Sequence, residues 1–212
     1  MKLPFSVEQF IEVFFLYNTS VWPAQILIYI LAGVALFLIV KKTKYSNKIN
    51  SLILSLFWLW MGVVYQAIFF SPINPAAKVF AALFILQGIL FFYVGVIKEK
   101  ITFDFKLNFI TIIGLLLTIL GTVIYPVLGY TFGHVFPYSP TFGLPCPTTI
   151  FTFGILLMSS KFPRYLVIIP FVWSIIGFTA ANTLGIKEDV SLLISGLIGV
   201  FLILLRNKLA KN

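Results

Sequence analysis

The chain has 212 residues, of which 60% are hydrophobic and only 10% charged, at a mean hydropathy of +1.07, whereas soluble domains carry about a quarter charged residues. That composition excludes an ordinary water-soluble globule. The net charge of +9 would suit nucleic acid if it were gathered on one helix, but the cations fall between apolar stretches, which points to membrane topology and excludes a nucleic-acid partner. The single cysteine allows no intrachain disulfide. No polar linker divides the hydrophobic blocks, so residues 1–212 read as one integral membrane domain. Glu8 and Glu12 interrupt the region where a signal peptide would be apolar, and the N-terminus is expected to stay on the mature protein.

Residues 6–18 predict a short amphipathic helix lying in the interface, with Ser6 as its cap and Gln9 completing a capping box. Glu8 and Glu12 stand one turn apart on its polar side, either as a solvated edge or as a pair that shares a cation or meets a basic group. Asn18, Thr19 and Ser20 are caps for a first span over 21–40, with Pro23 in its first turn. Twenty residues suffice for about 30 Å of hydrocarbon. Lys41, Lys42, Lys44 and Lys48 follow, then a second span over 49–70 that carries Trp58, Trp60, Tyr65 and Gln66. In SPINPAAK, Asn74 caps and Pro75 opens a third span over 79–97.

The fourth span, 107–125, is expected to end or kink at Pro126. The fifth, 146–160, has only 15 residues, below the roughly 17 of a full crossing. Either it is short and untilted, or its entrance lies within the membrane beneath residues 131–147; the second geometry is preferred, since irregular backbone survives there when protein buries it. A sixth span covers 166–181, with a kink expected at Pro170, and a seventh covers 190–205. Ser195 and Gly199, four apart, would let another helix approach closely, in this chain or a second copy.

Orientation follows from the cations. Lys41, Lys42, Lys44, Lys48, Lys98, Lys100, Lys106, Lys161, Arg164, Arg206, Lys208 and Lys211 fall on one side, against Lys2, Lys78 and Lys187 on the other. Under the positive-inside tendency this predicts an all-α bundle of seven transmembrane helices in the inner (plasma) membrane, N-terminus outside and C-terminus cytoplasmic, the basic loops meeting anionic lipid.

Most unusual polar residues then collect on the outer face. Residues 131–160 hold the only histidine, the only cysteine and Pro137, Pro140, Pro145 and Pro147, a stiffened loop running into a short helix. The candidate ligand-binding residues are Gln66, Asn74, Lys78, His134, Cys146, Thr148, Thr149, Glu8 and Glu12. At a helix start, Cys146 would be acidified by the dipole, and the free amides with Thr148 and Thr149 could instead hold an anion; equally, the cysteine is a small buried filler and the threonines are caps. Imidazole and thiolate suit zinc or copper, yet His134 and Cys146 show no recognised ligand spacing, and a lone histidine is more often a hydrogen-bonded structural group. Gln66 and Gln87, inside spans, are expected to face the bundle and bond to each other or to backbone. No Asp or Glu falls within any expected span, which counts against a carboxylate proton relay or a sodium-coupled carrier.

The segments VWPAQ (21–25), WMGVVYQAIFFSPINPAAKVF (60–80), GH (133–134) and PTFGLPCPTTIFTFG (140–154) resemble a family of small prokaryotic multi-pass membrane proteins of unknown function, DUF6064, and the resemblance runs along essentially the whole chain. It implies that these outer-face segments recur together and names no activity or cofactor. The leading expectation is binding of a small molecule or ion in an outward-facing pocket, for transport or sensing. The alternatives are a membrane-embedded enzyme using Cys146 as nucleophile or redox thiol with His134 as acid or base, and a structural partner of other membrane proteins through Ser195 and Gly199.

Overall fold

A computed structural model describes residues 3–209, with side chains to 206; Lys2 and Lys211 and the side chain of Lys208, counted above, lie outside the described residues. Helix α1 (Val7–Val21) opens on the expected capping box, in which the Gln9 amide donates to Ser6 Oγ at 3.3 Å and the Ser6 amide to Gln9 Oε1 at 2.9 Å. It runs past the residues expected to cap the next helix. Thr19 Oγ1 donates back to the Phe15 carbonyl at 2.7 Å, a bond available only inside a helix, and Asn18 turns inward. The chain then bends by 86° at Trp22–Pro23 into α2 (Ala24–Val40).

Helix α3 (Ser46–Phe70) finishes in π-helical turns from Met61, and α4 (Ala77–Ile97) follows an Asx turn in which the Ala76 amide donates to Asn74 Oδ1 at 3.2 Å. Asn108 caps α5 (Phe109–Thr131), accepting from the amides of Ile110 and Thr111. This helix does not end at Pro126 but continues to Thr131. π-Helical turns over Leu120–Ile124 precede the proline, and such an expanded turn accommodates a ring that would otherwise strike the preceding carbonyls. Helix α6 (Pro145–Leu157) has 13 residues, every one from Pro147 to Leu157 buried. A single 3-10 turn, Arg164–Val167, leads into α7 (Ile168–Leu184); Pro170 falls in its first turn, where a missing N–H is tolerated, and the Leu166 carbonyl that it leaves without a helical donor accepts from Gln87 Nε2 at 2.9 Å. Gly185, at φ 74°, ends α7 in the left-handed conformation. The turn Lys187–Asp189 then starts α8 (Val190–Leu209).

The basic loops meet at one end of the bundle. Strand β1 (Thr102–Phe103) pairs antiparallel with β2 (Ser159–Lys161), Phe103 donates to Asn47 Oδ1 at 2.9 Å, Lys48 pairs with Glu99 at 2.9 Å, and Arg206 donates to the Ser159 carbonyl. Among the described residues five helices, α3, α4, α5, α7 with the 3-10 turn before it, and α8, are long and apolar enough to cross a membrane, and the bent pair α1 and α2 makes a sixth if taken together. The helix of the expected short span over 146–160 is α6, which measures about 20 Å at 1.5 Å per residue and is too short to count among them; it is buried from Pro147 to Leu157, with no lipid-facing stripe.

Backbones approach most closely between α5 and α6. A Cβ on Gly154 would lie 2.6 Å from the Gly114 carbonyl, and one on Gly121 would lie 2.5 Å from the Pro147 carbonyl. The small residues of α8 serve the same end: a Cβ on Gly199 would strike Phe153 of α6 at 2.6 Å, and one on Gly196 would strike Ser174 of α7. Ser195 is fully buried as well. The face expected to receive another helix therefore receives one of this chain's own.

Gly154→Ala is expected to destabilise the fold by about 1–3 kcal/mol because rigid backbone stands in the way. Gly33→Ala, with nothing within 4 Å of the new methyl, should leave the melting temperature unchanged or slightly raised. Thermal unfolding of the purified variants in detergent checks both.

Candidate functional site

A cavity of about 840 Å³ opens at the end opposite the basic loops, where α6 begins short of the bundle's edge. Its walls are Phe5, Phe10 and Phe14 from α1 and the segment before it, Tyr65 and Phe70 from the end of α3, Phe80 of α4, and the Trp173 to Thr183 face of α7. Its floor is the start of α6, from Leu144 to Pro147, with Tyr125 and Asp189. Phe5 and Phe10 pack edge-on against Phe70, with centroids 5.4 and 5.8 Å away, which fixes the α1 wall.

A helix start leaves four amides without helical partners. In α6, Pro145 and Pro147 remove two of the four, and the Thr148 amide reaches the Leu144 carbonyl at 3.2 Å, so PCPTT can begin a helix in apolar surroundings. Thr148 Oγ1 also accepts from the Gly143 amide at 3.1 Å. Gly143 has φ 104°, and a Cβ there would press on the Tyr17 hydroxyl and Ile28, so glycine is required on both counts.

The loop before α6 is tied down by amides. Asn18 Nδ2 donates to the carbonyls of Pro137 and Ser139 at 2.6 and 2.8 Å. Gln25 Nε2 donates to Asn18 Oδ1 at 2.6 Å and to Thr141 Oγ1 at 3.0 Å. One cluster thus joins α1, α2 and the loop.

The polar centre is acidic. Tyr125 donates its hydroxyl hydrogen bond to buried Asp189, and the Cys146 thiol faces the same carboxylate. The place beside Cys146 where the α6 dipole would favour an anion is therefore already taken by the Asp189 carboxyl group. Trp173 Nε1 is buried beside the Cys146 thiol in a ring that lines the cavity. Behind this floor, His134 Nδ1 and Glu188 Oε1 lie 2.7 Å apart, with the Glu188 side chain fully buried and its Oε2 unpartnered.

Of the residues singled out from sequence, Asn74 and Cys146 line the cavity and His134 stands behind it, with Glu188 as its partner. Thr148 fixes the loop; Thr149 is buried with an unpartnered hydroxyl. Gln66 is buried with neither amide atom bonded, and Gln87 donates to the Leu166 carbonyl at 2.9 Å, so the two glutamines do not meet. Glu8, Glu12 and Lys78 are exposed and line no part of the cavity. Among the described residues no three His, Cys, Asp or Glu side chains group as metal ligands. Tyr125, Trp173, Glu188 and Asp189 were not anticipated. Glu188 and Asp189 lie just ahead of the expected seventh span over 190–205, but the helical segment long and apolar enough to cross a membrane begins at Lys187 and takes in both, and both are buried. Their signal in the sequence was two adjacent acids heading an apolar helix.

The Family of unknown function (DUF6064) model matches residues 7–212. The chain belongs to that family. No curated protein matches it, and neither does any solved structure. Membership extends over α1 and the entire cavity wall contributed by named helices, from Val7 to the end of α8.

His134→Ala should cost about 3 kcal/mol, because it leaves the Glu188 carboxylate buried with no partner. Adding Glu188→Gln to that variant should restore much of the loss, as read from melting temperatures of the single and double variants.

Proposed function

We propose that this protein binds a small molecule in the 840 Å³ cavity and acts in transport or sensing at the outer face of the plasma membrane. The observation that carries the reading is the contrast within the cavity: mostly apolar walls with a few polar groups converging at the floor, the usual make-up of a small-molecule site. The proposed topology has seven crossings, α2 to α8, with the N-terminus outside. Its support is that the loops after α2, α4 and α6 and Arg206 of α8 contact one another at the basic end, and basic loops face the cytoplasm. In α6 the extended residues that flank the helix make up length, shielded from lipid by the surrounding helices.

No specific observation favours the enzyme reading, since His134 is bonded to Glu188 and Cys146 faces Asp189. The partner reading loses its proposed face to contacts within the chain.

Cys146 is the only cysteine, half-buried and on the cavity floor, so it reports on occupancy. A membrane-impermeant thiol reagent should modify it from the outer compartment, and Ala180→Trp, which fills the cavity from α7, should slow that reaction about tenfold with little change in melting temperature. Unchanged labelling in a folded Ala180→Trp variant would count against an open ligand cavity. In a Cys146→Ser background, cysteines placed at Lys78 and Lys100 should be labelled from opposite sides of the membrane; labelling of both from one side would overturn the topology.

A further inference from the structure

We infer that the cavity takes an amphiphilic organic cation, its ammonium group against Asp189 and its apolar body against the aromatic wall; the inference rests on the cavity being a ligand site. The first argument is sign. Among the described residues that line the cavity, Asp189 is the only one of the Asp, Glu, Lys, Arg and His types, so the cavity holds a carboxyl group and no basic side chain. Phosphates, carboxylates and other anions would meet a carboxyl group in a low-dielectric space with no counter-charge, which disfavours them. A cation supplies the partner that Asp189 lacks, because its observed neighbours, Tyr125 and Cys146, are neutral donors, and the nearby imidazole of His134 is already engaged by Glu188.

The second argument is the wall. Phe5, Phe10, Phe14, Phe70, Phe80 and Trp173 all line the space, and aromatic faces attract ammonium groups, most strongly where water is excluded. A cavity lined only for hydrocarbon would need no buried carboxylate; one built for a small hydrated ion would not be walled by phenylalanines. The combination selects a molecule with a cationic head and a hydrophobic body. Its volume suits an occupant of drug size. Trp173 Nε1, buried beside the Cys146 thiol on the cavity wall, would donate more strongly to a hydroxyl or ether oxygen on the same molecule than to a thiol.

The test uses the full chain in detergent and four probes that share a phenyl body and differ in the head: phenethylammonium, benzyltrimethylammonium, phenethyl alcohol and phenylacetate. Binding is read by calorimetry and by protection of Cys146 from a small maleimide. Both cations should bind about tenfold or more tightly than the alcohol, phenylacetate should give no protection, and Asp189→Asn should weaken the cations about tenfold while leaving the alcohol nearly unchanged. If the alcohol or phenylacetate matches the cations, or if the cations are indifferent to Asp189→Asn, the inference about charge is overturned while the cavity stands as a ligand site. If no probe, and no member of a wider library of neutral and charged small molecules, protects Cys146, the ligand-site reading falls and this inference falls with it. Should Asp189→Asn fail to fold, the ranking of the four probes on the wild-type protein decides.

Discussion

The contact on which the rest of the structure depends is the close approach of α5 and α6. Three glycines, Gly114, Gly121 and Gly154, let backbone lie on backbone, and no hydrophobic side chain could occupy the same space. That approach seats a short helix in the middle of the bundle. Its neighbours then complete the burial: Trp58 of α3 donates to Thr152 Oγ1 at 3.1 Å, and Gly199 of α8 receives Phe153. In lipid there is little hydrophobic gain from joining two apolar helices, so association relies on dispersion and interhelical hydrogen bonds. A helix buried from Pro147 to Leu157, open only at the start that floors the cavity, is the product of such packing.

The cavity is a consequence of that seat. Because α6 has 13 residues and its far end is pinned by the β1 and β2 pairing and by Arg206, its N-terminus cannot reach the opposite edge of the bundle. The space above it is walled by helices that are longer than α6, and it is bounded laterally by α1, which the 86° bend sets across the direction of α2. Polar groups gather at the floor because a helix start and the adjoining starts and ends of α5 and α8 are the places where backbone and side-chain donors are found inside an apolar bundle. The acidic floor and the basic loops stand at opposite ends, a separation that the sequence order of the lysines had already set.

Much of the architecture was legible from the residues. Ser6 and Gln9 announce α1 through local bonds, and the lysine runs separate the apolar segments at positions that agree with the helices to within a few residues. Gly199 was legible as a point of close approach, although its partner Phe153 was not. The candidate site was less legible. His134 and Cys146 were visible because each is unique, yet their partners lie far along the chain: Glu188 is 54 residues from His134, and Asp189 is 43 from Cys146. Nothing local distinguishes a buried acid from one in a solvated turn. GIKED has the composition of a surface loop, and only packing against α5 and α6 takes Glu188 and Asp189 out of water. For the same reason Glu8 and Glu12, which looked equally promising in spacing, remain on the exposed side of α1.

The amide cluster of Asn18, Gln25 and Thr141 carries a consequence for how an occupant is received. It crosslinks the bent N-terminal helix to the segment before α6 through bonds of 2.6 to 3.0 Å, in surroundings where competing water is scarce. The ordering entropy of that flank is thus met when the chain folds, and recognition would proceed on a preorganised surface with little reshaping. Entry would then fall to the other flank, along α7, where Thr179, Asn182 and Thr183 line the cavity while exposed to the surroundings.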